Sequence, residues 1–289
     1  MENDYEDRNF EAILPSQMKI FWQKVAEGSI NREVFQAFLN NVSAFTIPRG
    51  IYYNFSEAQK KAAQIMGCDF IGINLVINAL QWKGIAIRLT ENDLDQYSAI
   101  PVSEEILNKI AQRKWRGKRA ILWWAPPERY GFNLRKMLEI FGTDNRYQPA
   151  FNRDLWWPDE DFAEEVIPEG WHLTLVEIPP ETKSRTLSEQ INLKQEYEKL
   201  CKPVELVFLS FINLIVNREY LFTFFYSRTD AELLSNHTVS IGNFENDGIS
   251  ISKTSSTLST QDTPIGLLFS RKLESKILDG DADKNESEP

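Results

Sequence analysis

The sequence is poor in the residues that chemistry most often needs. Its 289 residues hold two cysteines, Cys68 and Cys201, and two histidines, His172 and His237. The cysteines are far apart in helix-like contexts, which speaks against a disulfide framework and for buried free thiols in a reducing compartment. None of the four has ligand spacing, so no metal site is expected. There is no glycine-rich phosphate loop, no H-E-x-x-H and no G-x-S-x-G. No catalytic residue and no cofactor is therefore assigned. Positive charge is also short: 32 Lys and Arg against 42 Asp and Glu, a net charge of −10. Nonspecific binding to nucleic acid or to an anionic membrane needs a basic surface, so both partners are disfavoured. The longest apolar run, Val204–Val216, is too short to span a bilayer. The acidic start, Met1–Asp7, has no apolar segment of the secretory type, and a cytoplasmic location is expected.

What is present is the composition of a folded globular chain, 42% hydrophobic and 26% charged. Apolar residues recur at three and four over 16–44, broken at Gly28-Ser29, which predicts a helical hairpin. Ser56 is placed to cap a helix ending at Met66 before Gly67. Asp69–Leu80 is apolar and reads as a strand or a buried helix. Lys83-Gly84 marks a turn and Ile85–Leu89 a strand. Ser103 opens a helix that the spacing carries to Trp115, with acids at its start, bases at its end and Gly117 after it. Arg119–Ala125 reads as a buried strand, Asn133–Phe141 as a helix, Trp171–Ile178 as a strand and Thr186–Leu200 as an amphipathic helix. Pro203 suits the first turn of the next helix, whose positions are apolar all round and should be buried on most sides. From Tyr220 onward the pattern is strands and turns. The tail from Asp279 is acidic and without apolar residues, which predicts disorder.

Three groups of residues invite a functional reading. His172 follows Trp171 in a strand, and an enzyme assembled in space would need a carboxylate beside it. Arg113, Lys114, Trp115, Arg116, Lys118 and Arg119 place five bases around one indole, a pattern that can hold phosphates and stack a base; three bases at a helix end and two flanking a strand are the favoured reading. Six of the eight tryptophans lie between Trp115 and Trp171, which fits a core or an exposed platform.

Further residues carry a resemblance. Gln148–Phe151, Trp156–Pro158, Gly170–Leu173 and Gln190–Tyr197 stand in an order similar to that in a set of bacterial proteins of unassigned activity from environmental, candidate-phylum genomes. Arg228-Thr229, Val239–Phe244, Gly248–Ile251 and Leu268–Lys272 resemble the closing strands of C-type-lectin-like domains, some of which are variable proteins of diversity-generating retroelements. Glu-Pro-Asn and Trp-Asn-Asp triplets and a Gly-Gly-Ser-Trp signature are absent. The residue patterns and the resemblance together give an α+β fold: a helical and mixed α/β region over 1–144, an irregular linker over 145–169 and an acidic tail over 275–289 from the patterns, and a C-type-lectin-like domain over 170–274 that the resemblance implies. The resemblance further implies a non-enzymatic binding protein for an unknown protein or small molecule. Scaffold positions alternate with Ser235, Asn236, His237, Asn243, Asn246, Ser250, Ser252, Thr254 and Ser256, and these become the ligand-binding candidates.

Overall fold

The computed structural model describes residues 56–234, 236–257, 265–271 and 273. The helical hairpin expected over 16–44 and the acidic tail lie outside the described residues. The described part is a mixed α+β fold in which a single helix separates two sheets.

The first half supplies α1 (Glu57–Met66), β1 (Phe70–Ile71), α2 (Ile73–Trp82), α3 (Glu91–Ser98), α4 (Glu104–Ala111), β2 (Ala120–Ala125) and α5 (Leu134–Phe141). Ser56, Thr90, Ser103 and Asn133 cap α1, α3, α4 and α5, each side chain accepting from a backbone N–H three residues on. The second half supplies β3 (Gly170–Leu175), α6 (Leu187–Asn192), β4 (Glu198–Leu200), α7 (Pro203–Asn217), β5 (Tyr226–Leu233), β6 (His237–Glu245), β7 (Gly248–Ser255), β8 (Ile265–Leu267) and β9 (Phe269–Arg271).

The first sheet has the order β1-β2-β3-β9-β4. β1 runs parallel to β2, and β2 pairs antiparallel with β3 from Ala120↔Leu175 to Ala125↔Gly170. The strands on either side of the expected linker, 145–169, are thus neighbours in one sheet. The second sheet has the order β7-β6-β5-β8. The chain crosses from β8 in the second sheet to β9 in the first through Leu268 alone.

Helix α7 is the common partner of both sheets, and every residue from Pro203 to Leu214 is buried. Toward the first sheet, Phe208 packs on Trp123 with ring centres 5.9 Å apart. Elsewhere on the helix Phe211 meets Phe141, Phe151 and, from β6, Phe244. Its polar side chains are satisfied at home: Ser210 Oγ donates to the Leu206 carbonyl and Asn213 Nδ2 to the Glu219 carbonyl. The all-round apolar pattern read from Val204–Val216 therefore matches a helix without a solvent face.

Other elements differ from their sequence patterns for identifiable reasons. Asp69–Leu80 is both alternatives in succession, the two-residue strand β1 followed by α2. Ile85–Leu89 is irregular rather than a strand; the Arg88 N–H and carbonyl bond the Tyr130 hydroxyl instead of a neighbouring strand. α4 stops at Ala111, four residues before Trp115, because Arg113 and Arg116 turn into left-handed backbone and drive Trp115 inward. α6 ends at Asn192, and the rest of the expected Thr186–Leu200 helix becomes a turn and β4.

Gly248 shows how closely the second sheet is packed against the middle of the chain. Its φ is +101°, and a Cβ there would lie 2.5 Å from the Phe151 carbonyl carbon. Replacing Gly248 with alanine combines backbone strain with a clash against main chain, and should cost at least about 2 kcal/mol in denaturant unfolding. Phe211→Ala should cost about 3–5 kcal/mol in the same measurement, the usual range for deleting a buried aromatic ring.

Candidate functional site

Polar chemistry is concentrated in the core between the first sheet and the start of α7. Trp123 and His172 are register partners on β2 and β3, and their rings stack 4.3 Å apart at an interplanar angle of 16°. His172 Nε2 lies 2.8 Å from the Pro168 carbonyl and Nδ1 lies 3.3 Å from Glu205 Oε1. Both ring nitrogens thus lie beside oxygen atoms. Glu205 is the third residue of α7. Its Oε1 accepts Lys199 Nζ at 2.6 Å, and its Oε2 accepts the Lys202 backbone N–H at 2.9 Å and caps the helix. Burial pushes this carboxyl up, but the hydrogen bonds and charges of His172 and Lys199 outweigh it and hold the group at about 2.

A second chain of polar groups crosses the same face. Trp123 Nε1 donates to Thr174 Oγ1, which meets Ser270 Oγ, which meets Cys201 Sγ, at 3.0, 3.0 and 3.2 Å. The thiol in turn donates to the Leu268 carbonyl. Burial raises the Cys201 thiol far above its ordinary value, so it stays protonated. The indole only donates, so one assignment has every hydroxyl hydrogen pointing toward Cys201.

His172 does have the neighbouring carboxylate an acid–base site requires, yet it is 5% exposed and Glu205 is 0% exposed. A pair sealed in this way cannot touch a substrate in this conformation. What it does is neutralise a charge that the core would otherwise reject. Glu205, Lys199 and Ser270 carried no spacing signal in the sequence; only the lone acid inside the apolar run Val204–Val216 marked the position.

The basic stretch is tied down by carboxylates. Arg113 pairs with Glu177, Arg116 with Glu181 and Glu198, and Arg119 with Asp69 and Glu219. Trp115 is buried and donates its indole N–H to Glu198 at 2.9 Å. A ring in that position cannot stack on a base. Lys114 is exposed and Lys118 half-buried, next to these pairs. Of the other tryptophans in the rich stretch, Trp123, Trp124, Trp157 and Trp171 are buried, and only Trp156 is half-buried, under Lys253.

The ligand-binding candidates fall along the β6–β7 hairpin, and Ser235 lies outside the described residues. At one end, Asn236 (φ +57°) occupies the β5–β6 turn and accepts from the Ser256 N–H, beside His237. At the other end, Asn243 (φ +47°) sits in the bulge of β6 and Asn246 in the exposed turn. Between them Ser250 and Ser252 are half-buried and Thr254 is buried. A nine-residue strand separates the two ends by about 30 Å, and the candidates are spread along the hairpin.

The turn around Asn246 has company that the sequence did not link to it. The Tyr220 hydroxyl donates to Asn246 Oδ1 at 3.2 Å, and Gln148 Nε2 donates to the Asn246 carbonyl at 2.9 Å. Segment 220–225 runs along the end of β6, with the Phe225 carbonyl accepting from Asn243 N–H and the Phe222 carbonyl from Phe244 N–H. Phe224 in this segment is 80% exposed, and Tyr147, next to Gln148, is 67% exposed.

Among the described residues, no group of three or more His, Cys, Asp and Glu is arranged to hold a metal ion, and no helix is long and apolar enough to cross a membrane.

The buried pair makes stability depend on acid. The Glu205 carboxyl is depressed in the folded state, so its contribution is complete above the unfolded value near 4.5 and is lost as pH falls toward about 2. Thermal unfolding followed between pH 6 and pH 2 should show this loss, and Glu205→Gln should flatten it. Removing one partner by His172→Ala should cost about 2–4 kcal/mol in denaturant unfolding, because it strips a buried carboxylate of a hydrogen-bond partner and leaves a cavity beside Trp123.

Compared with known proteins, the chain matches no family model, no curated protein and no solved structure.

Proposed function

We propose that this protein is a non-enzymatic binding protein, and that its recognition surface is the tip of the β6–β7 hairpin together with the aromatic segments beside it. The observation that carries this reading is two exposed rings, Phe224 and Tyr147, on the segments whose Tyr220 and Gln148 both bond Asn246. Large rings with few rotatable bonds provide contact area at low entropic cost, and amides around them adapt their hydrogen bonds, as in antibody loops. The backbone behind them is held by the second sheet, so the surface is displayed on a rigid support. The charges nearby are acidic: Glu245 and Asp247 are exposed, and Arg146 is spent on Asp144. That favours a protein partner over a nucleic acid.

The lectin-like reading of residues 170–274 belongs to this proposal. It is supported by the succession of short strands that closes on Phe269–Arg271. Its corollary, a diversified surface, is tested by sequencing the gene across its source population. Substitutions confined to adenine positions in codons 233–263 support it, and an invariant stretch overturns it.

The recognition surface itself is tested with a displayed peptide library. Peptides selected on the intact protein should lose at least about tenfold in affinity for the triple variant Tyr147→Ala, Phe224→Ala, Asn246→Ala. The variant should unfold within about 1–2 kcal/mol of the parent, since two of its side chains are exposed and the third loses one hydrogen bond. Binding that the triple variant leaves unchanged would place recognition elsewhere.

A further inference from the structure

On the outer side of the buried cluster lies a cavity of about 320 Å³ lined by Lys194, Glu198, Lys199, Leu200, Lys202 and Asp230. This is at the lower end of the size range of small-molecule sites. Three lysines line it from three backbone positions: the turn after α6, strand β4 and the residue preceding α7. Two of the carboxylates around it are heavily engaged. Glu198 accepts four hydrogen bonds, from Trp115 Nε1, Arg116 Nε, Arg116 Nη2 and the Gln195 N–H. Glu205 is enclosed by Lys199, His172 and the Lys202 N–H.

The ammonium groups are less committed. Each has three N–H donors. Lys199 Nζ has one short bond, to Glu205. Lys202 Nζ bonds Glu165 at 2.6 Å and lies 3.8 Å from Asp230. Lys194 Nζ makes only a long contact, 3.4 Å, with the Glu198 carbonyl. Each of the three lysines lining the cavity thus keeps at least one N–H without a short bond. Arg116, which bonds the lining residue Glu198, is also engaged by Glu181 and the Leu193 carbonyl. Planar carboxylates are best met by the arginine fork, whereas separate lysine point charges suit a compact anion with oxygens on several sides.

We propose that this cavity binds the phosphate group of a small phosphorylated molecule, held by Lys194, Lys199 and Lys202. The volume exceeds what a phosphate alone fills, which leaves room for the group that carries it. Asp230 sets the pH range of the site. Burial pushes its carboxyl up to about 6, with the charges of Glu165 and Glu205 adding to this and those of Lys202 and Lys199 opposing it. Below that value Asp230 is neutral and does not repel an anion; above it, its charge competes for the same lysines.

The full chain is titrated by calorimetry with sulfate, with inorganic phosphate and with glycerol phosphate. Sulfate keeps its charge from pH 5 to pH 8 and so isolates the protein's own titration. Sulfate should bind, and its affinity should fall as pH rises through about 6; Asp230→Asn should remove that dependence while circular dichroism shows the fold intact. Lys194→Gln should weaken sulfate binding by about fivefold or more. Lys202→Gln should do the same, and serves as the second variant if Lys194→Gln fails to fold. Tighter binding of glycerol phosphate than of phosphate identifies a carried phosphate group; equal binding identifies a site for the free ion. No sulfate or phosphate binding at tens of millimolar, or binding that both lysine variants leave unchanged, overturns the proposal.

Discussion

A single buried carboxylate constrains the architecture. Glu205 stands in the first turn of a helix whose first twelve residues are all buried, so its charge has no route to bulk water. It is tolerated because the imidazole of His172 and the ammonium of Lys199 meet one oxygen while the helix's own capping N–H meets the other. His172 is in turn set by its stacking on Trp123 and by the Pro168 carbonyl. The registers of β2 with β3, and the position of β4 relative to α7, are therefore coupled through one ionic contact. A helix packed only by hydrophobic surface could slide or rotate by a residue at modest cost; one that must present Glu205 to His172 cannot.

The same economy governs the arginines. Arg116, Arg119 and Arg129 each reach across the sequence to acids on other elements, namely Glu181, Glu198, Asp69, Glu219 and Asp93. Those tethers fix the turn after α4 and the start of β2 to the second half of the chain. In an acidic chain they consume the cations that a nucleic-acid surface would require. Lysine is distributed differently. Lys194, Lys199 and Lys202 line a cavity with hydrogen-bonding capacity to spare, directly outside the ionic core. In the proposed anion site a fixed inner cluster stands behind the lysines, so little needs to reorganise when an ion enters.

The hairpin tip has a different character. Bare aromatic rings and amides are held there by a sheet whose opposite face packs on α7 through Phe244 and Phe211. The support is fixed by Gly248, which lets β7 approach Phe151, and by the indole of Trp156 bonded to the Ile251 carbonyl. Recognition by such a surface would rely on contact area and adaptable hydrogen bonds, in contrast with the charge of the lysine-lined cavity.

Local physical chemistry made much of the secondary structure legible. Side-chain caps at Ser56, Ser103 and Asn133, the buried strand Arg119–Ala125 and the fully apolar helix after Pro203 depend on neighbours within a few residues, and the sequence by itself determined them. Its charge balance and sparse histidine and cysteine likewise limited the chemistry available. Tertiary structure decided what short-range pattern does not encode. It split Asp69–Leu80 into a strand and a helix, ended α4 early so that Trp115 could be buried, and joined β2 to β3 across a stretch that reads as a linker. It also spread the candidate residues 236–256 along a hairpin, and assembled Glu205, His172 and Lys199 from positions up to thirty-three apart. The reason is that pairing of strands and neutralisation of a buried charge are contacts between distant segments, and their partners are chosen by packing, which no local periodicity records.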